Sequence, residues 1–168
     1  MIVAVVAAVG LLVYGLVSKG DSRIAVGDPA PAAPVDRLEG GGTESLSAYR
    51  GRWVMVNFWA SWCVPCRDEA TALNKLQEER GGPKFTVVGI DSNDLSPDAK
   101  AFVEKYGAEY PQLRDGNGDL AKDFGTTGVP ESYLFDPRGR LKLPWRGPVD
   151  EKILREQFLP LIPPKGSS

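Results

Sequence analysis

Hydrophobic residues fall along the chain in blocks, and the period of each block predicts its element. Arg52 to Trp59 reads Trp-Val-Met-Val-Asn-Phe-Trp after the arginine, a β-branched and aromatic run that predicts a buried central strand. From about Cys63 to Arg80, Ala70, Leu73, Leu76 and Gln77 recur at helical spacing, and Gly81-Gly82-Pro83 ends the pattern. Phe85 to Ile90 predicts a second buried strand. Ser96-Pro97 then opens a helix as a cap with proline at the first helical position, burying Phe102, Val103 and Tyr106. Asp119 to Phe124 is a shorter helical piece. Ser132 to Phe135 and Leu141 to Trp145 form a hairpin about Asp136-Pro137-Arg138-Gly139, and a last helix covers Asp150 to Leu161. Strand, helix, strand, helix, hairpin, helix is the order of an α/β sandwich with a mixed sheet.

The amino-terminal block differs in kind. Ile2 to Val17 carries no charge and is almost wholly apolar, so as a helix it spans roughly 24 Å, a little short of a bilayer's hydrocarbon core. No Lys or Arg precedes it and no small-x-small site follows closely, which favours an uncleaved anchor over a cleaved signal or a buried core helix. Residues 1–18 are therefore expected to be a transmembrane or signal anchor and residues 19–25 a tether. Residues 26–163 form the folded domain, and 164–168 a disordered tail. Lys19 and Arg23 alone would leave that side cytoplasmic, diluted though they are by Asp21 and Asp28. Val26 to Pro31 opens the domain with polyproline or edge-strand geometry, Gly40-Gly41-Gly42 marks a turn, and Ser45-Leu46-Ser47 alternates briefly.

Composition narrows the chemistry mainly by exclusion. The 168 residues include no histidine, which removes Ser-His-Asp and Cys-His catalysis, imidazole metal ligands and imidazole pH switches. Two cysteines are too few for a four-ligand zinc site within the chain. A net charge of -2 provides no basic stripe for nucleic acid. The two thiols remain as the unusual reactive groups.

They stand as Trp62-Cys63-Val64-Pro65-Cys66, straight after the central strand and at the head of the long helix. Cys-x-x-Cys between strand and helix is a redox signature. There the free first-turn N–H groups and the positive end of the helix dipole stabilise a Cys63 thiolate. Cys66, one turn in, is placed to resolve a mixed disulfide on Cys63, and Pro65 limits the loop's flexibility. A structural bridge is the weaker reading, because closing so small a loop restrains the unfolded chain very little.

The stretch Asn57-Phe58-Trp59-Ala60-Ser61-Trp62-Cys63-Val64-Pro65-Cys66-Arg67-Asp68-Glu69 resembles the active-site segment of the TlpA/ResA/CcmG (DsbE) family of membrane-tethered thioredoxin-like proteins. Leu46 to Gly51 and Gly128-Val129-Pro130-Glu131-Ser132-Tyr133-Leu134 extend the likeness, which runs from Val26 to about Leu161. It implies a thioredoxin-like three-layer sandwich preceded by one membrane helix, with no cofactor. It also implies an extracytoplasmic, single-pass thiol-disulfide reductase of the cell membrane. Its partners would be protein disulfides, apocytochrome c in cytochrome c maturation among them, and a membrane electron carrier of the CcdA/DsbD type. The chain itself would be a monomer.

The resemblance also implies residue roles. Val129-Pro130 matches the family's cis-proline, where the backbone of Val129 pairs with an extended substrate. Glu69 matches a carboxylate that moves protons beside the dithiol; the plainer alternative is a solvated first-turn acid. Asn57 stands where ordinary thioredoxins carry a buried aspartate, leaving Glu69 as the nearby proton carrier. Thr71 departs from the family's proline two residues on. Glu131 is expected on an acidic rim for substrate or partner recognition, or as an ordinary surface charge. Trp59 is expected in the core and Trp62 over Cys63, with apolar docking as its second role.

Four other functions compete. A general oxidoreductase or oxidase of other protein clients would use the same dithiol. A thiol peroxidase shares the Gly-x-x-Ala-Pro opening, but Val56 and Ala60 occupy two positions its motif requires. A copper-delivery module of the Sco type needs Cys-x-x-x-Cys and a histidine. A non-catalytic docking domain would not depend on Cys63.

Overall fold

The computed structural model describes residues 23–166. The expected anchor and most of the tether lie outside the described residues, and among those described no helix is long and apolar enough to cross a membrane. Seven strands form one sheet: β1 (Val35–Arg37), β2 (Thr43–Glu44), β3 (Trp53–Trp59), β4 (Phe85–Ser92), β5 (Gln112–Asp115), β6 (Glu131–Phe135) and β7 (Leu141–Arg146). Their order is β2-β1-β5-β4-β3-β6-β7. β4 runs parallel to both β3 and β5, and the other neighbours pair antiparallel, so the sheet is mixed as expected. The outermost strands are the two-residue β2 and β7, which carries Pro144.

Alternation along β3 assigns the layers. Val54, Val56 and Phe58 face a core with Val88, Ile90, Tyr133 and Phe135, closed by helix α3 (Asp119–Phe124) and a 3-10 turn at Leu46–Tyr49. Met55 faces the other side, where Leu73 and Leu76 of helix α1 (Val64–Arg80) meet Val87, Leu134, Leu154 and Phe158. Asn57 and Trp59 share the α1 side with Met55, which is how a polar residue of the central strand comes to face that helix. Helix α2 (Ser96–Tyr106) brings Ala99 and Phe102 against Trp59 and both cysteines. Gln77 is periodic with the apolar positions of α1, yet it serves the backbone: its Oε1 accepts from Val87 N at 2.9 Å.

Several boundaries differ from expectation, each for a physical reason. β1, β2 and β5 were not foreseen; they are short and mostly polar, so no apolar block marks them. Ser45-Leu46-Ser47 does not form a strand: Ser45 Oγ accepts from Ser47 N and caps the 3-10 turn. Ser96 is not the cap of α2, because Leu95 occupies that position and Pro97 falls second in the helix. The last helix is broken. A short α4 (Glu151–Ile153) passes into one π turn, Leu154–Phe158, with Leu159 N bonded to Leu154 O at 2.8 Å. Pro160 has no N–H to continue an α-helical ladder, so regular helix stops before it. Val26 to Pro31 docks on the β6–β7 hairpin through Gly27 N to Leu141 O (2.8 Å) and Ala30 N to Gly139 O (2.9 Å).

Candidate active site

At the carboxyl end of β3 the chain turns through Ala60–Trp62 and enters α1, with Cys63 as the N-cap. Cys63 N donates to Ala60 O at 3.1 Å, and Cys63 Sγ accepts from Cys66 N at 3.2 Å. Pro65 lies in the first turn and contributes no donor, so the Cys66 amide is the one aimed at the sulfur. The cysteines are joined in a disulfide, S–S 2.05 Å and Cα–Cα 5.3 Å. Both are buried, in a cluster with Leu38, Trp59, Ala60, Ala99 and Phe102. The Trp59 ring stacks on Phe102 at 4.6 Å, and its Nε1 donates to Gln112 Oε1 at 2.9 Å. Gly89 makes that bond possible, since a Cβ there would stand 2.1 Å from the same oxygen. A cavity of about 10 Å³, the scale of one water, touches Cys66, Asn57 and Tyr110.

Glu69 is buried, which removes the solvated alternative. Its Oε1 accepts from Asn57 Nδ2 at 2.9 Å and its Oε2 from Val149 N at 3.0 Å. Burial lifts its pKa to about 7, against the pull of those two donors toward the carboxylate form. Asn57 also donates to Ser132 Oγ at 3.1 Å, so the amide ties α1 to both β3 and β6. The buried Tyr110 phenol is held well above its ordinary range by desolvation and then by the charge of Glu69.

The Val129–Pro130 peptide bond is cis, and Val129 packs against the cluster that holds the cysteines. Glu131 corrects the expectation of an acidic rim: it is only 3% exposed. Its Oε1 accepts from Thr127 N and Thr127 Oγ1, both at 2.9 Å, and its Oε2 from Tyr133 Oη at 2.6 Å. Glu131 therefore fastens the loop before Pro130 from inside. A charged letter beside a proline gave no sign of this, because the burial depends on β6 being covered on both faces. Trp62, 59% exposed, projects from the surface and lies outside the apolar cluster around Cys63. Its ring lines a groove with Val129, Thr127 and Asn93.

A further buried carboxyl went unread in the sequence. Asp91, opposite Trp59 in the β3–β4 register, is fully buried with no hydrogen-bond donor on either oxygen, and Arg114 Nε lies 3.7 Å from Oδ2. Burial, and then Asp94 nearby, pushes its pKa up to about 7. Its only signal was an acid in the last positions of an apolar strand.

Residues 26–143 match the model of the AhpC/TSA family. The chain belongs to the AhpC/TSA family. Within it, the thiol-disulfide oxidoreductase ResA of Bacillus cereus is 30% identical over 157 residues, covering 93% of this chain and 90% of that one. The thiol:disulfide interchange protein DsbE of Yersinia pestis is 33% identical over 139 residues, 81% of this chain and 72% of its own. Among solved structures, the thioredoxin domain of a thiol-disulfide oxidoreductase from Bacteroides vulgatus superposes with a TM-score of 0.70 at 27% identity. That match covers 80% of this chain and 98% of the other. With its Cys63–Cys66 pair at the head of α1, this AhpC/TSA member is a thiol-disulfide oxidoreductase of the DsbE/ResA type in a thioredoxin-like fold.

Proposed function

We propose that the protein is an extracytoplasmic thiol-disulfide reductase whose clients include apocytochrome c. The observation that carries its dithiol chemistry is Cys63 at the N-cap, with the Cys66 amide on its sulfur, while the reducing direction and the client rest on the resemblance of the active-site stretch. In the reduced enzyme that amide and the helix dipole stabilise the Cys63 thiolate. Cys63 Sγ attacks one sulfur of a client disulfide, and the other client sulfur leaves with the electron pair and takes a proton. Cys66 then loses its proton and attacks Cys63 Sγ, releasing the second client thiol. Two electrons pass to the client, and the Cys63–Cys66 disulfide seen here is the oxidised product. Glu69, buried one turn beyond Cys66 with a pKa near 7, is suited to take the Cys66 proton. Val129 beside the cis-proline, with Trp62 across the groove, receives the client strand.

A membrane electron carrier of the CcdA/DsbD type restores the dithiol. Residues 1–18 hold the monomer to the membrane, 19–25 tether it, 26–163 form the redox domain, and 164–168 trail it. The apolar run Ile2 to Val17 supports the anchor, and a reductase is most useful where the surroundings oxidise thiols.

A Cys66→Ser variant expressed in its own cell tests the reading, since it should accumulate clients as mixed disulfides through Cys63. Apocytochrome c among the trapped proteins would support the client assignment, and its consistent absence would remove it. A redox titration giving a potential near that of thioredoxin, about -270 mV, fits a reductase. One near about -120 mV would reverse the direction of electron flow.

A further inference from the structure

Ser61 and Trp62, the two residues before Cys63, are both held by the two residues that follow β4. Ser61 N donates to Asp94 Oδ2 at 2.5 Å, and Ser61 Oγ to Asp94 Oδ1 at 3.0 Å. Trp62 Nε1 donates to Asn93 O at 3.3 Å. The holding pair is itself fixed. Asp94 Oδ1 accepts from Leu95 N at 2.7 Å, and Asp94 O accepts from Arg114 Nη2 at 2.9 Å. Asn93 is the one non-glycine residue with positive φ (54°) among those described, and its carboxamide lies where a Cβ on Gly118 would come within 2.7 Å. Such a backbone conformation persists where the surroundings over-determine it.

The dithiol chemistry proposed above asks for a fixed turn at this place. Cys63 N is bonded to Ala60 O, so the turn that presents Cys63 Sγ to the Cys66 amide is closed around Ser61. Ser61 is only partly buried and Trp62 is exposed, so packing alone does little to hold them. Besides Asp94, the side chain that grips the Ser61 backbone is Arg67, whose Nη2 donates to Ser61 O at 3.2 Å.

We propose that Asp94 is a positioning residue for Cys63: by holding Ser61 through two hydrogen bonds, with Asn93 holding Trp62, it fixes the turn that aims the nucleophile. The inference rests on the reading of Cys63 as the attacking thiol. Asp94 touches neither substrate nor sulfur in this role. It acts through Ser61.

The test is single-turnover reduction of a disulfide-bonded model peptide by the pre-reduced full chain. Asp94→Ala should slow it about tenfold and Ser61→Ala about threefold, each less than the full worth of the hydrogen bonds lost, because those bonds act on the rate only through the turn. The double variant should be no slower than Asp94→Ala alone, because the Ser61 hydroxyl acts through Asp94. The deficit should persist at a pH where alkylation shows Cys63 to be fully thiolate, which separates position from charge. A wild-type rate in Asp94→Ala, additive losses in the double variant, or a deficit that vanishes at that pH would each overturn the proposal. Should Asp94→Ala not fold, Asp94→Asn, which keeps one acceptor oxygen, carries the same test with a smaller expected loss. Cys63→Ser serves as the separate control. If it still reduces the peptide, the dithiol reading fails, whatever Asp94 does.

Discussion

Asn57 Nδ2 donates to Glu69 Oε1 at 2.9 Å with both side chains buried between β3 and α1. An amide here allows the neighbouring carboxyl to ionise with a donor on it; a second carboxyl would not. Asn57→Asp should therefore place two acids in one dry site. Its loss of stability should be greater at pH 8, about 3 kcal/mol, than at pH 5.5, where one acid can hold a proton. Urea unfolding at the two pH values measures the difference, and an equal loss at both would contradict the account.

Glu69 sets a pH dependence of its own. Its carboxyl is raised from 4.5 to about 7 in the folded protein, so between those values the folded state holds a proton that the unfolded chain has released. Unfolding then releases that proton, and stability falls as pH rises across the window, by at most about 3 kcal/mol. Asp91, raised from 3.8 to about 7, adds a fall of the same sign. The urea midpoint should drop from pH 5 to pH 8, and Glu69→Gln should flatten the curve while leaving the part due to Asp91. A wild-type midpoint that rises over this range would show the sign to be wrong.

Glu131 offers a test of a buried latch. Truncation in Glu131→Ala leaves Tyr133 Oη and Thr127 N without their acceptor. The expected loss is about 2–3 kcal/mol. Amide exchange at Thr127 should quicken more than exchange in β3, and uniform quickening would argue against a local role.

Gly89→Ala probes the sheet beneath the dithiol. Its Cβ would collide with the Gln112 carboxamide, the acceptor for the Trp59 indole. The protein should lose about 1–3 kcal/mol, and the tryptophan emission should shift as Trp59 gives up its partner. Unchanged emission would mean that Gln112 can yield while still holding the indole.

What the sequence disclosed followed the strength of its patterns. β3, β4 and α1 were legible because long apolar or periodic blocks outweigh local propensity. The dithiol was legible because two cysteines at fixed spacing lie between a strand and a helix. β1 and β5 escaped because a short, mostly polar strand reads as loop. Glu131 and Asp91 were misjudged or missed because the burial of an acid is decided by which strands flank it, information that lies far away in the chain. Nothing in the sequence singled out Asp94, because only the folding of β4 beside β3 brings it to Ser61.

The rims of the sheet have a bearing on how the fold meets other extended chains. β2 is two residues long, and β7 has a proline where a backbone donor would stand. Among the described residues neither border offers a long ladder of open amides, so an extended chain has little to pair with at either edge. Among the described residues, both rims thereby disfavour edge-to-edge pairing with another chain.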